Sequence, residues 1–248
     1  MSEPLTLERQ DGIAVLTMRA PATRNALTVA MAQAMIDACE TIDGDAQIGA
    51  VIVTGEGRYF CAGGDRGTLA AAGKDPADPA SYRDIGTIYG AFARVGALAP
   101  PTIAAIRGGA VGAGLNLALA TDLRVVANDA KLLSGFLPIG LHPGGGHSLL
   151  LSRAVGRETA NAMQLFGATI TGAEAVARGL AWVAVASEEV EATARRLAEI
   201  PSKDPELARR TARSMRTIAG PPGMSWAAAL DLERASQMWS MRRKDLAS

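Results

Sequence analysis

With 248 residues, 48% of them hydrophobic, the chain is long enough for one large domain with a substantial core, or one domain plus an appendage. Its 25 Lys and Arg balance its 25 Asp and Glu, and zero net charge argues against a nucleic-acid partner, which needs a clustered basic surface. The N-terminus, MSEPLTLERQDG, lacks the features of a secretory signal. The most apolar stretch, Ala110 to Ala120, is too short to span a bilayer, so no membrane partner is expected. Cys39 and Cys61 have neither metal nor disulfide spacing, which suits a cytoplasmic protein with two buried, reduced thiols.

In chain order, Gly12 to Met18 is a β run. Thr28 to Asp43 reads as a helix, because Met31, Met35, Cys39 and Ile42 recur at helical spacing and Gly44 ends it. Gly49 to Thr54 is a second β run. Ala70 to Asp84, rich in Ala, Pro, Asp and Gly, reads as a mobile loop, and Ser81 to Val95 as a helix. Thr102 to Ile106 is β, Gly112 to Ala120 a buried helix, Asp122 to Ala127 β, and Lys131 to Leu133 a short further strand. This alternation predicts α/β layering.

Beyond Gly144 the pattern is helical: Gly145 to Ala154, Glu158 to Phe166, Gly172 to Arg178, Glu188 to Ile200, Pro205 to Ile218 and Ser225 to Arg242. Leu180 to Val185 is the one strand-like run there. The chain divides into an α/β core, residues 1–190, and a helical C-terminal region, 191–248.

Two segments carry the chemistry: Phe60-Cys61-Ala62-Gly63-Gly64-Asp65, and the run GGAVGAGLNLALATD from Gly108 to Asp122. Each is a glycine-rich turn between a β run and a helix. Such a turn can leave backbone N–H groups unpaired, as an oxyanion hole requires, or it can simply permit close packing. A dinucleotide fingerprint starting at Gly112-Ala113-Gly114 fails, because Leu117 stands at the third glycine.

Five blocks in order resemble the crotonase (enoyl-CoA hydratase/isomerase) superfamily. They are Pro21-Ala22-Thr23-Arg24-Asn25-Ala26-Leu27, Phe60 to Asp65, Gly112 to Asp122, Pro143 to Gly146 with Arg153 to Gly156, and Thr171 to Ala175 with Gly179-Leu180. The resemblance implies a crotonase-like spiral of ββα units, with the C-terminal helices serving trimerisation. It implies a homotrimer or a hexamer built as a dimer of trimers, and an acyl-CoA ligand with no separate cofactor.

By position, the backbone N–H groups of Gly64 and Ala113 correspond to the family's oxyanion hole. Arg24, Ala26, Ala62, Gly63, Asp65, Arg66, Gly112 and Gly144 fall in segments that bind substrate, and Asp65 also suits a turn-fixing role. The two catalytic carboxylates of a hydratase map onto Asn116 and Phe136, neither of which can exchange a proton near neutral pH. His142 and His147 flank the Gly144-Gly145-Gly146 turn. Either can serve as a base, with His142 the candidate, or occupy a helix start or pocket rim. Two histidines without a carboxylate partner are too few for a metal site.

Tyr82, Asp84 and Tyr89 lie on the helix that lines the acyl pocket in the family. Arg209, Arg210, Arg213 and Arg216, then Arg242, Arg243 and Lys244, read as solvated basic faces. The expected function is an acyl-CoA enzyme of hydratase/isomerase type with atypical catalytic residues. The alternative is a non-catalytic acyl-CoA-binding protein.

Overall fold

A computed structural model describes residues 3–218 and 225–245. Its larger sheet begins with β1 (Leu5–Gln10), which turns through Asp11 and Gly12 onto antiparallel β2 (Ile13–Met18). From β2 the sheet continues in parallel through β3 (Ala50–Gly55), β4 (Thr102–Ile106), β6 (Leu123–Ala127) and β9 (Val183–Val185). The intervening β5 (Gly109–Val111) and β7 (Lys131–Leu133) pair in parallel in a second sheet, joined by antiparallel β8 (Ile170–Thr171). β3 and β4 are buried along their whole length, as expected of parallel strands covered on both faces.

The helix α1 (Val29–Gly44) buries Met31, Met35, Cys39 and Ile42, the stripe that the spacing predicts. The Thr28 hydroxyl caps it by accepting from the Met31 N–H at 3.1 Å. Next come α2 (Arg66–Lys74), α3 (Pro79–Gly96), α4 (Ala113–Ala120) and α5 (His147–Gln164). They are followed by α6 (Gly172–Ala177), α7 (Val190–Ser202), α8 (Pro205–Ile218) and α9 (Trp226–Asp245). α7 lies against β2, β3, β4 and β6, while α9 lies against α2 and α3. No helix among the described residues is long and apolar enough to cross a membrane.

Two expectations need correction. The segment Ala70 to Asp84 is mostly helical, not a loop. Asp65 caps α2 by accepting from the Thr68 N–H at 2.9 Å. Asp78 caps α3 by accepting from the Ser81 N–H at 2.8 Å, with Pro79 in the first turn. The Asp and Pro residues that suggest a loop are helix-start signals here. The two helices expected over Gly145 to Phe166 are present: α5 runs as two helical pieces that meet at Gly156, whose backbone (φ 73°, ψ 171°) is not helical. Leu180 to Val185 contributes less strand than expected, since β9 begins only at Val183. β1, absent from the sequence reading, carries its charged residues at a sheet edge, so its apolar pattern is weak.

The basic face of α8 is only partly solvated. The Arg209 guanidinium donates to the carbonyls of Ile42, Asp43, Asp45 and Ile48, where α1 ends and its last C=O groups lack helical partners. Arg216 donates to both Asp122 carboxylate oxygens and to the Leu98 and Pro100 carbonyls. Asp122 in turn accepts from the Thr102 N–H at 2.8 Å, so α8 is tied to the start of β4. Arg210 and Arg213 are exposed, and Arg242 donates to the Lys74 carbonyl. The side chains of Arg243 and Lys244 lie outside the described residues.

The first glycine-rich segment is held from below by Asn25. This buried residue has a left-handed backbone (φ 55°), which asparagine tolerates better than most residues. Its Oδ1 accepts from the Ala20 N–H at 2.9 Å, and its Nδ2 donates to the carbonyls of Glu56 and Tyr59 at 3.0 and 2.8 Å. Asn25→Ala removes all three bonds and should cost about 2–3 kcal/mol of stability, read as a lower urea midpoint with unchanged slope.

Candidate active site

Residues 61–64 run beside β5. The Cys61 N–H donates to the Gly109 carbonyl at 3.1 Å, and the Val111 N–H donates to the Cys61 carbonyl at 3.0 Å. On the other side Leu27 bridges Gly64: its N–H donates to the Gly63 carbonyl and its carbonyl accepts from the Asp65 N–H. In a parallel bridge the central residue's own N–H points away from its partner, so the Gly64 N–H is turned away from Leu27. Ala113 is the first residue of α4, where the N–H has no intrahelical acceptor. The capping position is Gly112, with no side chain to supply one. Among the described residues neither N–H makes a hydrogen bond.

Gly112 adopts φ 53°, ψ −118°, a conformation that L side chains rarely reach. That turn lets the chain leave β5 and enter α4 with Ala113 lining the same cavity as Gly64. The cavity, about 70 Å³, is lined by Ala62, Gly63 and Gly64 on one side and Gly112 and Ala113 on the other. Leu69, Ile85, Ile88, Val111, Ile139 and Leu141 make it largely apolar. Two unbonded N–H groups on residues lining one small, mostly apolar cavity can stabilise an anionic oxygen.

Phe136 lines this cavity, and Asn116 lies behind it, joined to the lining residue Ser134 through His147. Asn116 is fully buried, and its Nδ2 donates to the Gly144 carbonyl at 2.9 Å. A carbonyl only accepts, so the amide oxygen must face the other way, where Oδ1 lies 2.7 Å from His147 Nδ1. His147 therefore carries its proton on Nδ1. Burial pushes its pKa down to about 4, so the ring is neutral and Nε2 is left as an acceptor. The Ser134 hydroxyl, 2.7 Å away, donates to Nε2. Phe136 stacks edge-on against the same ring, with centroids 5.0 Å apart, and its side chain closes the cavity.

His147 can approach Asn116 because the Pro143–Gly146 turn passes close to it. Gly145 and Gly146 have φ of 72° and 77°, and a side chain at Gly145 would strike Phe92 and Asn116. His142 is exposed, and its Nδ1 lies 2.7 Å from the Pro143 carbonyl. Neither histidine lines the cavity, but His147 contacts two residues that do, Ser134 and Phe136.

The remaining candidate positions divide by place. Ala62 lines the cavity, its N–H donating to the Arg24 carbonyl at 2.9 Å, and Ala26 lies half-buried one turn away. Arg24 is exposed, with its guanidinium 5.2 Å from the centre of the Tyr59 ring, and Arg66 opens α2 at the surface. Asp65 fixes the start of α2, and Gly144 supplies its carbonyl to Asn116. Tyr89 lines the cavity, whereas Tyr82 stacks beneath Arg234 and Asp84 is exposed.

Ser134 and Gln237 are cavity residues that the sequence reading missed. Gln237, on α9, accepts from the Tyr89 hydroxyl. Ser134 follows β7, whose parallel register pairs Leu133 with Val111 and so places Ser134 beside Gly112. The strand was legible in the sequence, but its register was not. Both cysteines are buried, and burial pushes each thiol pKa up to about 12.

Residues 8–233 match the family model described as enoyl-CoA hydratase/isomerase. A probable enoyl-CoA hydratase of Mycobacterium tuberculosis is 41% identical over 233 residues, 94% of this chain and 86% of that protein. The 2,3-dehydroadipyl-CoA hydratase of Escherichia coli is 37% identical over 180 residues, 73% of this chain and 68% of that protein. The crystal structure of an enoyl-CoA hydratase from Mycobacterium avium subsp. paratuberculosis superposes with a TM-score of 0.85 at 27% identity, covering 100% of this chain and 99% of that one.

The depressed His147 pKa has a pH signature. Above pH 6.5 both folded and unfolded forms are neutral and the group contributes nothing. Between 6.5 and about 4 only the unfolded state takes up the proton, so stability falls as pH falls. The penalty reaches about 3 kcal/mol by pH 4. Urea titrations at pH 7 and pH 4.5 should show a loss in the wild type that His147→Gln reduces.

Proposed function

This chain belongs to the enoyl-CoA hydratase/isomerase family, and on that footing we propose that it is an acyl-CoA enzyme. In this reading the Gly64 and Ala113 N–H groups stabilise the negative charge that develops on the thioester oxygen, as an enolate in hydratase and isomerase chemistry. One observation carries the proposal: both N–H groups lack an acceptor among the described residues, and both residues line the same apolar cavity. The cavity's volume of about 70 Å³ suits a short acyl group, with the CoA nucleotide lying outside. Arg24 and Arg66, both exposed, are the proposed partners of the CoA phosphates.

The same reading makes the enzyme atypical. The Asn116 amide is occupied by the Gly144 carbonyl and by His147, and Phe136 offers an apolar ring. Neither can hold and activate water as a carboxylate pair does. Assembly as a trimer or hexamer is part of the proposal. Ile200, Leu207 and Met215 are exposed and border an apolar groove of about 930 Å³, a surface that copies of the chain would cover.

Crotonyl-CoA hydration by the wild type should be very slow, since two acid–base terms of about 10²–10⁴ each are missing. Asn116→Glu alone should restore little, because its carboxylate would meet the Gly144 carbonyl and Phe136 would still fill the second position. The pair Asn116→Glu with Phe136→Glu should raise the rate. A wild-type rate typical of efficient hydratases would overturn this account.

Gly64→Pro deletes one donor, so any turnover should fall about 10²–10³-fold and CoA-ester affinity, measured by calorimetry, should drop. Unchanged affinity and turnover would remove the Gly64 N–H from the site. Light scattering at micromolar concentration should give a trimeric or hexameric mass, and a monomer would contradict the assembly.

A further inference from the structure

The polar groups buried at the cavity form a chain with a direction. The Ser134 hydroxyl donates to His147 Nε2 at 2.7 Å, and His147 Nδ1–H donates to Asn116 Oδ1 at 2.7 Å. Asn116 Nδ2 is anchored on the Gly144 carbonyl at 2.9 Å, which prevents the amide from flipping and fixes the tautomer. This is the ordering of nucleophile, base and orienting residue that activates a hydroxyl for attack on a carbonyl. The array also lies where attack requires it. Ser134 lines the cavity and is placed by strand register beside Gly112, next to the unbonded Ala113 N–H. The same pocket lacks the carboxylates that hydration requires, and the Phe136 ring covers His147 instead.

We propose that Ser134 is a nucleophile, His147 its general base and Asn116 the residue that positions His147, and that the chain hydrolyses short acyl-CoA thioesters through an acyl-Ser134 intermediate. The proposal rests on the reading above, in which the thioester oxygen meets the Gly64 and Ala113 N–H groups. A tetrahedral oxyanion places its charge on the same atom as an enolate would.

As Ser134 Oγ bonds to the carbonyl carbon, its proton passes to His147 Nε2. Collapse of the tetrahedral adduct breaks the C–S bond, and the departing CoA sulfur takes that proton. Water then attacks the acyl-serine ester, giving a proton to Nε2. The Oγ–C bond breaks, Ser134 regains its proton and a carboxylic acid leaves. The sum is thioester plus water giving acid plus CoA thiol, with no oxidant or reductant.

Butyryl-CoA tests this directly, because its saturated chain offers no double bond to hydrate or isomerise. Binding to the 248-residue chain is measured first by calorimetry, and CoA release is then followed with a thiol reagent at a saturating concentration of the ester. Acid-quenched samples are digested and searched by mass spectrometry for butyryl-Ser134. The wild type should release CoA and carry the adduct. Ser134→Ala should lose the adduct and slow release about 10³-fold or more. Ser134→Cys should accumulate the acyl group on residue 134.

Asn116→Asp should shift the pH profile of release to higher pH, since a carboxylate beside the imidazole favours its protonated form. An unshifted profile would deny Asn116 its positioning role. Binding without CoA release or adduct, or release by Ser134→Ala at the wild-type rate, overturns the hydrolytic proposal and leaves the acyl-CoA reading standing. Failure of the wild type to bind butyryl-CoA overturns both.

Discussion

The buried amide of Asn116 sets the polarity of the site. It joins α4 to a stretch far along the chain, the Pro143–Gly146 turn and the first residue of α5 that follows it. Leaving either end unpaired would cost about 1–3 kcal/mol, so the turn and His147 are held where the amide needs them. A carboxylate introduced at 116 or 136 would therefore disturb the neighbouring residues too. A carboxylate at 116 would face the Gly144 carbonyl, and a hydrated group at 136 would lose the edge contact with His147. Asn116, Phe136, Ser134 and His147 are one mutually consistent packing, in which every polar atom of the array has a partner.

Around that array the backbone is stitched by short bridges. Leu27 to Gly64 and Cys61 to Ala110 connect segments that belong to no common long strand. Between them they align both glycine-rich turns, and Asn25 holds the first turn from beneath. Arg209 and Arg216 add a second level of connection, since each carries one cation into a cluster of carbonyls at the end of a core element. The C-terminal helices are thus attached by directed polar contacts as well as by apolar packing.

The frame was legible in the sequence because its signals are local. The α1 stripe of Met31, Met35, Cys39 and Ile42 and the β4 run from Thr102 to Ile106 need no knowledge of distant residues, and the glycine turns mark where strands become helices. Misreadings arose where one residue type serves two purposes. Asp78 and Pro79 begin a helix yet look like loop composition. The chemistry was less legible because it depends on register and on long-range approach. Nothing local tells that Ser134 stands beside Gly112, or that His147 rather than His142 turns inward.

Among the described residues, Gln237 is the one cavity-lining residue that comes from the C-terminal helices; the others all lie between Ala62 and Leu141. During synthesis the ribosome therefore delivers nearly the whole cavity long before its last polar wall. A core assembled from the earlier segments has Tyr89 without its glutamine partner and an apolar hollow open to water on that side. Completion of the site thus coincides with docking of α9 against α2 and α3. The order of translation keeps the nascent chain from holding a closed pocket until α9 has been made and docked.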